Sequence, residues 1–171
     1  MIFLNKVFMK KLDEYIRMNY EEPCYVCEED FLHESGTGVA KKSILTEKEI
    51  IDLKSLMDEI GDSFHEKLFQ LIDQSGMTDV EVYKRAGIDR KLFSKIRSNP
   101  AYHPRKNTVL ALAIALKLDI KETKDLLSRA EYALSPSNKG DLLIKFFIEH
   151  EIYDIMAINF ALDEYGQPIL G

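Results

Sequence analysis

Long hydrophobic runs are missing from this chain. No apolar stretch approaches the ~20 residues that a helix needs to cross a bilayer, which argues against a membrane partner. The first apolar cluster, Ile2–Leu4, is too short for the core of a secretory signal. Cysteine is scarce, with Cys24 and Cys27 the only two. A cytoplasmic protein with reduced thiols is therefore expected. Catalytic signatures are also lacking: there is no P-loop, no G-x-S-x-G and no H-E-x-x-H. His65, His103 and His150 are scattered and neighbour no nucleophile. No enzymatic activity, cofactor or bound metal is expected. Neither an internal repeat nor a low-complexity tract is present.

The two cysteines sit at C-x-x-C spacing, as Cys24-Tyr25-Val26-Cys27. Half a zinc site has this form, and His33 is within reach as a third ligand. The second C-x-x-C or H-x-x-x-H pair that would complete it is missing. A redox reading needs a βαβ context, which the pattern does not supply. We read the pair as two small, partly buried apolar residues. Glu28 and Glu29 beside them lie in a polar loop and need no catalytic role.

What the chain does have is a basic island in an acidic background. Its 171 residues suit one domain with extensions, and 46% apolar content is enough for a core. The net charge is −6. Yet Met77–Val109 holds eight basic and three acidic residues, so that window carries +5 and the remainder −11. A local patch of this kind is an electrostatic footprint for an anionic partner.

Within the island lies Met77–Asn99, MTDVEVYKRAGIDRKLFSKIRSN. The first half predicts a short helix over Thr78–Ala86, with Val80, Val82 and Tyr83 apolar. Thr78 and Glu81 have the spacing of a capping box. Gly87 stands where a left-handed residue would end that helix. Asp89 then caps a second helix, Arg90–Ser98. Leu92, Phe93 and Ile96 make its inner stripe, and Arg90, Lys91, Ser94, Lys95 and Arg97 its outer face. Two helices on a glycine turn, the second basic and outward, form a helix-turn-helix pattern.

On these residues the chain resembles the lambda-repressor-like, xenobiotic-response-element class of helix-turn-helix domains. Ala86, Gly87, Ile88 and Asp89 match the turn of that family. Leu112, Ala113, Ala115 and Leu116 match its leucine- and alanine-rich fourth helix. The resemblance covers roughly residues 63–133, and it extends to helix-turn-helix modules appended to larger bacterial proteins. Three positions depart from the pattern. Asp79 replaces a glutamine that contacts phosphate in the family, Asn99 replaces the glycine after the recognition helix, and Lys117 replaces the glycine before helix five. The resemblance implies that Arg90, Lys91, Ser94 and Lys95 face base edges, where cations suit the acceptors of guanine. It places Arg97, Ser98, Asn99, Arg105 and Lys106 near phosphates, where they position without specifying.

Flanking patterns complete the layout. Leu4, Phe8, Leu12 and Ile16 repeat every four residues and predict a helix over Ile2–Tyr20. Pro23, Gly36 and Gly38 mark an irregular stretch, and Thr46 starts a further helix that ends at Gly61. Ser63–Gln74, Asn107–Leu118 and Asp119–Leu134 are expected as helices one, four and five of the core. Asp141–His150 and Tyr153–Glu164 read as two more, before a tail over Gly166–Gly171.

The expected architecture is all-α. A five-helix lambda-repressor-like helix-turn-helix core at 62–134 follows an N-terminal extension at 1–61 and precedes a C-terminal helical pair and tail at 135–171. The leading functional expectation is a sequence-specific transcriptional regulator, a repressor that binds double-stranded DNA as a homodimer. The rival is a protein-interaction or inhibitor module whose acidic and apolar extensions dock on another protein. The stripes of Ile2–Tyr20 and Asp141–Glu164 are expected to meet a second copy, because an exposed Phe8–Leu12–Ile16 patch is unusual on a soluble monomer.

Overall fold

The computed structural model describes residues 6–22 and 62–171. Within them lie eight helices and no strand. They are α1 (Lys6–Asn19), α2 (Phe64–Ser75), α3 (Asp79–Arg85), α4 (Arg90–Ser98), α5 (Lys106–Ala115), α6 (Ile120–Arg129), α7 (Lys139–Glu149) and α8 (Ile155–Glu164). Over these residues the chain is all-helical. The helix expected from Thr46, together with Cys24, Cys27, His33 and the acids beside them, falls outside the described residues.

Short polar side chains set most of the helix starts. Ser63, Thr78 and Asp119 each accept from a backbone N–H of the first turn, and Glu66, Glu81 and Glu122 reach back to complete three capping boxes. The Glu66 and Glu81 carboxyls are held below their ordinary range because they accept the backbone N–H of Ser63 and Thr78. Asp89, Asn138 and Asp154 cap α4, α7 and α8. α5 starts differently: Arg105 occupies its cap position and offers no side-chain acceptor.

The helix ends explain where the expected boundaries were too generous. Five helices stop on one motif, with a left-handed residue at Gly87, Lys117, Glu131, Glu151 or Gly166. At α5, Lys117 N donates to Ile114 O and Leu118 N to Ala113 O, both at 3.0 Å. These crossed bonds satisfy carbonyls that the helix leaves open. Three of the five residues carry a side chain, at a steric cost on the order of 1 kcal/mol each. Thus α5 ends at Ala115 instead of Leu118, and α6 at Arg129 instead of Leu134. No glycine or proline announces either stop.

α5 forms the axis of the core. Every residue from Thr108 to Ala115 is buried, and the helix packs on α3, α6 and α8. Leu112 within it and Leu126, Leu143, Phe147 and Ile158 from other helices are fully buried. α6 also meets α2 and α7. α1 lies on α7, with Leu12 and Ile16 buried. The Phe8 and Tyr15 rings stand 5.7 and 5.0 Å from that of Phe146. Tyr15 Oη donates to Glu149 at 2.8 Å, and the Tyr165 hydroxyl donates to Asp13. Burial first, and then the neighbouring carboxylate, raises both phenol pKa values. Phe8, Leu12 and Ile16, offered to a second copy, are therefore packed within the chain, while Val7 and Met18 stay exposed.

The segment expected as a plain tail is fastened. Leu170 is buried, its N–H donates to Asn159 Oδ1 at 2.8 Å, and Asn159 Nδ2 donates to its carbonyl at 3.0 Å. Asn107 Nδ2 donates to Ile169 O at 3.1 Å. The segment ends against the α3–α4 turn, where a Cβ on Gly171 would stand 2.8 Å from Gly87 O.

Candidate nucleic-acid interface

The α3–α4 pair presents its charged face because its other face is locked. Ala86 and Ile88 are buried on either side of Gly87, whose φ of 65° makes the sharp turn. Phe93 and Ile96 anchor α4 from beneath. The Phe93 ring is gripped between Phe69 and Tyr83, at centroid distances of 6.3 and 5.9 Å. With that stripe inward, the 3.6-residue period leaves Arg90, Lys91, Ser94, Lys95, Arg97 and Ser98 exposed. The exposed helix is about 13 Å long at 1.5 Å per residue. A groove of about 310 Å³ separates α3 from α4, lined by Asp79, Tyr83, Arg90, Ser94, Arg97 and Ser98 among others.

The cations of this region differ in what holds them. Arg90 and Lys91, in the first turn of α4, have no ion pair or side-chain hydrogen bond among the described residues. Lys95 Nζ lies 4.4 Å from the centroid of the Tyr102 ring, an attraction that steadies it without cancelling its charge. Arg97 is engaged three ways. Its Nη1 is 3.0 Å from Asp79 Oδ1, its guanidinium lies 4.5 Å over the Phe69 ring, and its carbonyl is 3.0 Å from His65 Nε2. Asp79 thus offers the start of α3 a partner on the protein itself, where the resembled family contacts phosphate.

The remaining expected residues divide. Asn99 is exposed and extended rather than left-handed, and its Oδ1 accepts from Ala101 N at 3.1 Å. Arg105 is exposed and unpaired among the described residues. Lys106 is only part-exposed, and its ammonium lies 2.5 Å from Asp141 Oδ2. That carboxylate also accepts from Ser135 N at 2.8 Å. Lys106 thus joins the start of α5 to α7 and does not reach outward with Arg105. Asp141 and Tyr102 are partners that no spacing in the sequence identifies.

No family model matches the chain, and neither does a curated protein or a solved structure. What the face can do follows from its geometry. Unpaired guanidinium and ammonium groups on a rigid, exposed helix suit phosphate oxygens and the acceptor edges of bases. Among the described residues, no group of three or more His, Cys, Asp or Glu is placed to hold a metal ion. Nor is any helix there long and apolar enough to cross a membrane.

Proposed function

We propose that the protein binds double-stranded DNA and regulates transcription, with α2–α6 as a lambda-repressor-like helix-turn-helix core and α4 as its reading helix. The observation that carries this is the pair Arg90 and Lys91. Both are exposed and unneutralised at the start of a helix whose inner side is fixed. An α-helix with its side chains fits a major groove about 12 Å wide, and an arginine or lysine there meets guanine O6 and N7. Ser94 and Lys95 continue the same face one turn on. Arg97, Ser98, Asn99 and Arg105 flank it at positions suited to phosphates. Lys106 belongs to the fold instead.

The test is a mobility shift with DNA from upstream of the protein's own gene, at two salt concentrations. Lys91→Ala or Arg90→Ala is expected to weaken specific binding by ~1–3 kcal/mol and relax base preference. Binding that is equally tight in both variants overturns the role of α4. Two copies on half-sites about one DNA turn apart would complete the reading. With Phe8, Leu12 and Ile16 packed on the rest of the chain, a contact between copies through α1 is left only its outer residues, Val7 and Met18. Light scattering with and without DNA separates a dimer in solution from one formed on the duplex.

A second reading, a module that docks on another protein, is favoured by α8. Met156 and Phe160 are four residues apart on its outer side, and they are 70% and 54% exposed. The Asp79–Arg97 pair favours it too, by lowering the net charge of the α4 face. Absence of DNA binding even at low salt would give this reading precedence.

A further inference from the structure

A second anion-seeking place lies away from the outer face of α4. A cleft of about 820 Å³ opens at the start of α5, lined by Leu92, Tyr102, Arg105, Thr108, Tyr132 and Ile169 among others. Small-molecule sites run to roughly 300–1,000 Å³. We propose that this cleft binds the phosphoryl group of a small phosphorylated molecule, between the N-terminus of α5, the Arg105 guanidinium and the Thr108 hydroxyl.

Three independent features converge there. The N–H groups of Lys106 and Asn107 have no acceptor among the described residues, because Arg105 cannot cap them. They stand at the positive end of a ten-residue helix. Thr108, at the third position of that helix, is 7% exposed, and its hydroxyl has no hydrogen-bond partner among the described residues. Unlike the sealed hydroxyl of Thr123, it opens on the cleft. An entering oxygen would give that hydroxyl a fixed partner in place of solvent. Arg105 lines the same cleft and is unpaired among the described residues. Lys106 adds no free charge, since Asp141 neutralises it.

The walls select a small ligand over a duplex. Pro168, Ile169 and Gly171 form one side, and the Tyr102 and Tyr132 rings contribute apolar faces. Asn107 holds the Ile169 wall in place through the 3.1 Å hydrogen bond to its carbonyl. Thr108 lines this cleft and not the outer face of α4. The proposal does not depend on α4 reading DNA.

Amide resonances of the full chain, titrated in turn with inorganic phosphate, adenosine 5′-monophosphate and adenosine, provide the test. The Lys106, Asn107 and Thr108 amides are expected to shift saturably, in the millimolar range or tighter, with the two phosphates and not with the nucleoside. Arg105→Gln, a surface change, should weaken both phosphates by about tenfold through loss of a charge-assisted hydrogen bond. Thr108→Val keeps the shape and should also weaken them, with the other amides unmoved. Lys91→Ala should leave the titration unchanged. No saturation, equal shifts with adenosine, equal binding in Arg105→Gln, or an equal loss in Lys91→Ala would each overturn the proposal.

Discussion

Helices α4 and α5 follow one another, α4 opening on Arg90 and Lys91 and α5 on Lys106 behind its cap residue Arg105, yet they use those cations in opposite ways. α4 buries Phe93 and Ile96 and little else. Its opening pair, Arg90 and Lys91, stays in water. α5 buries eight of its ten residues. Such a helix has little wet face to offer a charge; Lys106 pairs with the carboxylate of Asp141, and Arg105 stays unpaired among the described residues. The contrast teaches that a count of positive residues overstates the charge available to a partner. What matters is whether a distant acid comes within reach.

The largest test of this contrast is Lys106→Ala. It would leave the Asp141 carboxylate, whose side chain is 6% exposed, with Ser135 N as its remaining donor among the described residues. Removing one member of a buried pair is costly, and allowing for the 26% exposure of Lys106 the expected loss is about 2 kcal/mol. Urea unfolding measures it. Arg105→Ala next door should stay within about 0.5 kcal/mol of the parent. Equal stabilities for the two variants would erase the distinction drawn between them.

Lys91→Ala sharpens the same contrast from the other side. It should cost DNA affinity, as above, while leaving the urea midpoint within the scatter expected of an exposed site, about 0.5 kcal/mol. A smaller gain is expected at the far end of α5. Lys117 has φ 54°, so Lys117→Gly should raise stability by roughly 0.5–1 kcal/mol. A thermal scan that shows no rise would mean that the Lys117 side chain contributes elsewhere.

The smallest effect concerns pH. Glu66 and Glu81 have depressed pKa values in the folded chain, so unfolding takes up protons on the acid side. Their contribution is complete above the ordinary glutamate range and fades as pH falls through the depressed values. Glu66→Gln with Glu81→Gln should therefore flatten the acid limb of stability against pH. An unchanged limb would show that other carboxylates govern it.

Helix starts were legible because they are local. Ser63, Thr78, Asp89 and Asp119 lie within three residues of the N–H groups they accept, and α4 spans Arg90–Ser98 as its pattern predicts. Helix ends were less so. Left-handed Lys117 and Glu131 terminate α5 and α6, and neither residue type signals a stop. The outer face of α4 followed from periodicity alone. The state of its neighbours did not, since Lys106 meets a carboxylate 35 residues away and Arg97 one 18 residues away. Nor could periodicity reveal that α1 folds back on α7, since an apolar stripe looks the same whether its own chain or another covers it.

The fastened segment at 166–171 reaches further than its six residues. Leu170 is seated in the core, Asn159 grips it from α8, and Gly171 abuts the carbonyl of the elbow residue Gly87. The angle between α3 and α4 is thereby braced from behind by a piece of chain more than eighty residues downstream. Leu170→Ala is therefore expected to speed amide exchange at Gly87 and Ile88 as well as in α8, although Leu170 touches neither Arg90 nor Lys91.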